Sequence, residues 1–165
     1  MTSISGDVTA SIFHDRNRLK SVLDHQSFQS VVFTNGCFDV LHRGHAAYLA
    51  QARALGDCLV VGLNSDASVR ALKGADRPIH TWEDRAWLLA CLRFVDFVVF
   101  FNEATPIETL QVLRPSIHCK GGDYQPADLP EKPTIDSFGG RIEILPFLGG
   151  HSTTNILRKG GRIQV

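Results

Sequence analysis

The run Thr34-Asn35-Gly36-Cys37-Phe38-Asp39-Val40-Leu41-His42-Arg43-Gly44-His45 gathers two imidazoles, a carboxylate, a thiol and two glycines into one short stretch. His42 and His45, three positions apart, fall on one face if a helix begins there. Gly44 between them lets a ligand approach the backbone closely. A helix start adds free backbone N–H groups and the positive end of its dipole, so the natural ligand is a phosphate. Other groups suited to anions follow: Lys73 in the loop Lys73-Gly74-Ala75-Asp76-Arg77-Pro78, then Arg85, within reach of the same anion. The run Lys120-Gly121-Gly122-Asp123-Tyr124 places two glycines after a lysine, so backbone and ammonium can meet a ligand together. Ser152, Thr153 and Thr154 open the last helical pattern, where hydroxyls both cap a helix and donate to phosphate oxygens. Paired carboxylates for acid–base work and a Ser-His-Asp arrangement are not apparent.

These groups need a scaffold, and the hydrophobic pattern supplies one. Val31, Val32 and Phe33 read as a buried strand, and Leu41, Tyr48, Ala52 and Leu55 recur at helical spacing after it. Further strands are expected over 58–63, 95–101 and 117–119, with a fifth carrying Ile142, Ile144 and Leu145. Between them, Ser65 or Asp66 caps a helix through Val69 and Leu72, and Thr81 caps one in which Trp82, Ala86, Leu89 and Ala90 share a face. Thr105-Pro106 starts another, and 134–138 forms a brief one. This alternation predicts an α/β fold: a Rossmann-like three-layer sandwich with a mainly parallel five-stranded sheet. Residues 1–29 are expected to be an N-terminal extension with a short helix over 15–25, and 30–165 to form the main domain. In such sheets the ligand lies beyond the carboxyl ends of the strands. All four anion-binding runs follow strands, so they should meet at one edge.

With 165 residues the chain fits one domain with a real core. Its 17 basic and 17 acidic side chains cancel, so nothing in the balance points to a nucleic acid or a membrane surface. Cys37, Cys58, Cys91 and Cys119 form no C-x-x-C pair, which argues against zinc and against a disulfide framework. No stretch is long and apolar enough to span a bilayer and no apolar signal core opens the chain, so a cytoplasmic protein is expected.

Gly36, Phe38, Asp39, His42, Gly44 and His45 match the pattern G-x-F-D-x-x-H-x-G-H, and the chain thereby resembles the cytidylyltransferase-like nucleotidyltransferase superfamily. Within it, the span from Val31 to Leu157 looks like the adenylyltransferase domain of bacterial ADP-heptose synthesis. The supporting runs are Gly62-Leu63-Asn64-Ser65-Asp66, Lys73-Gly74 through Arg77-Pro78-Ile79, Val95-Asp96, Thr105-Pro106, Lys120-Gly121-Gly122-Asp123-Tyr124 and Ser152-Thr153-Thr154. The resemblance implies that 30–165 is a nucleotidyltransferase domain of the stand-alone form. It would join D-glycero-β-D-manno-heptose 1-phosphate to ATP with release of pyrophosphate, toward lipopolysaccharide core or other surface glycans. A separate heptose kinase would supply the sugar phosphate, and a homodimer is implied, although the apolar helix faces serve a monomer core equally well.

An acceptor phosphate is already ionised at neutral pH and needs no strong base, so catalysis reduces to alignment and charge stabilisation. On that reading His42, His45 and Lys73 are catalytic, with the imidazoles on α- and β-phosphate oxygens. Thr34, Asn35, Gly36, Cys37, Phe38, Asp39, Gly44, Arg85, Lys120, Gly121, Gly122, Asp123, Ser152, Thr153 and Thr154 form the nucleotide and phosphate site. Asp39 either orders the loop or attracts a metal. No dedicated metal cage is visible, and magnesium is expected to arrive with ATP. The enzyme alternatives are CTP with glycerol 3-phosphate, or ATP with another acceptor such as FMN. The alternative of another class is a nucleotide-binding module without catalysis.

Overall fold

The computed structural model describes residues 10–146 together with 153, 156, 157, 160 and 161. Ser152 and Thr154, expected at the phosphate site, lie outside the described residues. The elements in chain order are β1 (Ser11–Phe13), α1 (Arg16–His25), β2 (Val31–Gly36), α2 (Arg43–Arg53), β3 (Cys58–Asn64), α3 (Asp66–Lys73) and α4 (Trp82–Ala90). They continue with β4 (Phe97–Phe101), α5 (Ile107–Leu113), β5 (Ile117–Gly121), α6 (Lys132–Ser137) and β6 (Arg141–Leu145).

Every strand pair is parallel, in the order β1-β4-β3-β2-β5-β6. The expected α/β sandwich is therefore present, with six strands among the described residues in place of five. The sixth, β1, is a three-residue edge strand whose Ser11 pairs with Phe97 and whose Phe13 pairs with Val99. Three residues are too few to display an alternating pattern. The stretch expected to be an extension thus supplies both an edge strand and helix α1. Asp15 caps that helix by accepting from the Asn17 N–H at 2.8 Å.

Side-chain alternation along the strands divides the core in two, as a parallel sheet covered on both faces requires. Val32, Leu59, Val61, Val98, Ile117 and Cys119 meet Leu49 and Ala52 of α2 and Ala86 and Leu89 of α4. Phe33, Cys58, Val60, Phe97 and Val99 meet Leu19 of α1, Leu110 of α5 and Ile135 of α6. The predicted caps form where the sequence placed them: Ser65 accepts from the Ser68 N–H, and Thr81 from the Asp84 N–H.

Strand order reverses between β2 and β5, so the crevice for a ligand opens above their carboxyl ends. Packing beneath it, within the sheet, is tight. A Cβ added to Gly62 would sit 2.6 Å from Phe33 Cζ, and the Phe33 ring is fully buried. Gly62→Ala is expected to cost about 1–3 kcal/mol by overpacking, read by urea denaturation. A stability equal to that of the unmodified chain would show that the Phe33 ring can move aside.

Candidate active site

β2 ends at Gly36 and delivers the signature loop to the start of α2. Gly36 has a steric reason to be glycine, since its Cβ would lie 2.9 Å from Phe38 Cε2. Phe38 is buried, with φ of 43°, a conformation non-glycine residues seldom take. Its ring packs edge-on against His45 at 5.2 Å between centroids. A glycine thus admits an aromatic that in turn props a histidine.

His42 caps α2, its Nδ1 accepting from the His45 backbone N–H at 3.3 Å. That acceptor role puts the proton of neutral His42 on Nε2. The two imidazoles stack at 3.8 Å with 16° between their planes. Burial lowers His45 to about 4, with the charges of His42 and Lys73 acting in the same direction against a backbone hydrogen bond to Val40. His45 is therefore a neutral hydrogen-bonding group at pH 7 until an anion arrives.

Asp39 orders the loop. It is 2% exposed, pairs with Arg77 through Oδ2, and accepts at Oδ1 from the backbone N–H groups of Ile79 at 2.7 Å and His80 at 3.2 Å. With both oxygens engaged by donors, its carboxylate is committed to the protein and ill placed to ligate a metal.

Arg85 differs from its expected role. It is fully buried and donates to four acceptors: His80 O at 3.1 Å, Cys37 O at 2.6 Å, Asn64 O at 2.8 Å and Asp66 Oδ1 at 2.7 Å. A guanidinium so committed fixes the chain and has no reach toward a phosphate. Its position carried the clue, because Arg85 stands three after Trp82 and four before Leu89, on the apolar stripe of α4.

The remaining candidates divide between scaffold and surface. Thr34 is buried; its hydroxyl donates to Cys119 O at 3.1 Å and lies 2.7 Å from the Tyr48 hydroxyl, tying β2 to β5 and α2. Asn35 and Cys37 are half-buried and Gly44 is buried at the helix start. Burial pushes the Cys37 thiol up, while the charges of Lys73, Arg85 and Arg77 oppose that shift. Lys73 is exposed at the end of α3, its charge felt by both Cys37 and His45. Lys120 is held 2.7 Å from Glu131, a carboxylate only 2% exposed that the sequence did not single out. Burial would raise Glu131, but the Lys120 hydrogen bond and charge outweigh it and hold the carboxyl below its usual range. Gly121 ends β5, and Gly122, at φ 124°, donates its N–H to Leu145 O at 3.1 Å. Asp123 is exposed, and Thr153 is helical and half-buried. Sequence reading placed Arg77 in an anion-facing loop and Tyr48 on the apolar face of α2, but gave neither its partner, and it gave His118 no role. Their partners lie far along the chain, out of reach of any local pattern.

The cytidylyltransferase-like family model matches residues 33–141, the span that contains the signature, the Asp39 contacts and the Arg85 contacts. The chain belongs to the cytidylyltransferase-like family. Among curated proteins it is 51% identical to the bifunctional protein HldE of Syntrophotalea carbinolica over 87% of this chain and 30% of that one. It is 56% identical to that of Geotalea uraniireducens over 78% and 26%. The chain thus spans less than a third of the length of these relatives. Among solved structures, the lipopolysaccharide core biosynthesis protein of Thermoplasma volcanium superposes with a TM-score of 0.60 at 30% identity, covering 72% of this chain and 96% of that one. Pantothenate synthetase of Thermus thermophilus, with a TM-score of 0.64 at 17% identity, covers 92% and 69% and shares the fold alone. The cytidylyltransferase-like signature is therefore carried on its expected scaffold, with both histidines at the start of α2.

Two measurements probe the site's internal groups. Arg85→Lys keeps the charge but cannot reach four acceptors, and is expected to cost about 3 kcal/mol in urea denaturation. Unchanged stability with weakened phosphate binding would return Arg85 to the ligand. His118 on β5 is buried beside Phe33; burial and Lys120 lower it to about 4, with Glu131 opposing. Its folded value lies below its unfolded one, so the stability it contributes is intact above about pH 6.5 and is lost as pH falls toward 4. The loss is roughly 3 kcal/mol, and His118→Leu should remove it when unfolding is compared at pH 7 and pH 4.5. An equal acid loss in variant and unmodified chain would overturn the assignment.

Proposed function

We propose that this protein is an adenylyltransferase that joins D-glycero-β-D-manno-heptose 1-phosphate to ATP, giving ADP-heptose and pyrophosphate. The observation that carries the reading is the pair of stacked imidazoles at the start of α2, beside the β2–β5 crevice, in a chain about half identical to HldE proteins. The Lys120-Gly121-Gly122-Asp123-Tyr124 run favours the heptose acceptor over glycerol 3-phosphate or FMN.

An oxygen of the sugar 1-phosphate attacks the α-phosphorus of ATP in line with the bond to the β-phosphate; a new P–O bond forms as pyrophosphate leaves. His42 and His45 donate to α- and β-phosphate oxygens, with strength that grows as charge develops. Neutral His45 can also gain a proton once the triphosphate offsets the nearby cations. Lys73 holds a phosphate, and Ser152, Thr153 and Thr154 bind the β/γ portion. Magnesium would come with ATP and offset charge on the triphosphate, and Asp39, committed to Arg77, would not be needed to hold it. The acceptor implies a sugar kinase upstream, and the product feeds lipopolysaccharide core or surface-glycan assembly in the cytoplasm. A homodimer is the proposed assembly, supported by Leu72, Trp87 and Leu88 standing large and apolar at the surface.

Pyrophosphate release tests the reading, crossing ATP and CTP with the β-heptose 1-phosphate, glycerol 3-phosphate and FMN. Release with ATP and the heptose phosphate alone is expected, and His45→Ala should lower that turnover about a hundredfold or more without unfolding the chain. Release with another pair would replace the substrate. ATP binding with silence throughout would favour a nucleotide-binding module.

A further inference from the structure

Asp39 holds Arg77 by a single bond from Nε, and this is the guanidinium's only hydrogen bond among the described residues. The Arg77 side chain is just 11% exposed, and its Nη2 is buried with no acceptor. A buried N–H without a partner is costly, and an arginine carries two such groups on each terminal nitrogen. Arg85, one helix away, makes the contrast, since it spends donors on four protein oxygens. Arg77 is also placed at the site. Asp39 lies three residues before His42, and the Cys37 thiol feels Lys73, Arg85 and Arg77 together.

We infer that Arg77 is a substrate-binding residue, gripped at Nε by Asp39 and presenting its terminal nitrogens to a phosphoryl oxygen of a bound substrate. The carboxylate fixes the guanidinium plane before the ligand arrives, so little side-chain freedom is lost on binding. It does not fully neutralise Arg77 at the ligand, because its other oxygen, Oδ1, is drawn to the Ile79 and His80 N–H groups. A planar fork anchored at Nε, with a terminal nitrogen left without an acceptor, suits the oxygens of a phosphate, in either end-on or bidentate contact. The oxygen belongs either to the acceptor phosphate or to the nucleotide. This assignment rests on the proposed nucleotidyl transfer only for the identity of that substrate, since anion binding by Arg77 can be measured without turnover.

The test compares Arg77→Met and Arg77→Lys with the unmodified chain. Lysine can still pair with Asp39 but has no terminal fork, so it separates anchoring from ligand binding. Titration calorimetry with inorganic phosphate and with pyrophosphate should show at least a tenfold loss of affinity for one of them in both variants. The melting temperature should return toward the unmodified value in Arg77→Lys. In turnover, KM should rise for the acceptor alone if its phosphate is the ligand, or for ATP alone if the nucleotide is, with the other KM unchanged. Lysine restoring both melting temperature and anion affinity would reduce Arg77 to a structural partner of Asp39 and overturn the inference, as would unchanged affinity for both anions in Arg77→Met. An unmodified chain silent with ATP and heptose phosphate would sink the proposed reaction while the calorimetry still decided Arg77.

Discussion

A single buried guanidinium holds the carboxyl edge of this sheet together. Where β2 and β3 run out at their carboxyl ends, their backbone oxygens lose the neighbours that a strand ladder provides, and a buried carbonyl without a donor is expensive. Arg85 supplies those donors to Cys37 O, Asn64 O and His80 O at once, and Asp66 balances its charge. A buried charge is tolerated because it is paired and fully hydrogen-bonded, and removing any one partner would leave the rest uncompensated. The signature loop, the start of α3 and the lead into α4 are thereby fixed relative to one another, and Asp39 adds a second tie between the first and last of these.

On that frame the electrostatics of the free site become intelligible. Lys73, Arg77 and the positive end of α2 surround a small region whose nearest carboxylates are already engaged, Asp39 with Arg77 and Asp66 with Arg85. His45 responds by staying neutral, burial being the largest cause and the nearby cations the next. Such a region is unfavourable to leave without an anion and favourable to fill with several phosphates. The transfer proposed above, between ionised groups, would ask for little else, and a site without a strong base would be chemically sufficient for it.

Much of this was legible in the sequence, and the boundary has a physical cause. The strands of the central sheet, the Ser65 and Thr81 caps and the histidine pair are local patterns, fixed by alternation, spacing and capping chemistry within a few residues. Strand β1 escaped because Ser11, Ile12 and Phe13 show no alternation and owe their strand geometry to β4. Pairings between charges escaped for another reason. Arg77 meets Asp39 across 38 positions, and Arg85 meets Cys37 across 48. No residue type dictates which of several carboxylates a given arginine will find. Only the place of Arg85 on the apolar stripe of its helix marked it as internal.

The two sides of the β2–β5 crevice use their cations differently, and the distinction follows from where the carboxylates are buried. On the β5 side, Lys120 leans on Glu131, which is almost wholly enclosed, and Gly122 is pinned to Leu145 of β6. A lysine drawn to a buried carboxylate stabilises the turn that carries Gly121 and Gly122, and moving its ammonium to a ligand would strand a charge in the interior. On the β3–α4 side, Lys73 is exposed and Arg77 keeps unspent donors. An anion entering the crevice gains more from that second wall, since nothing internal must be abandoned to meet it.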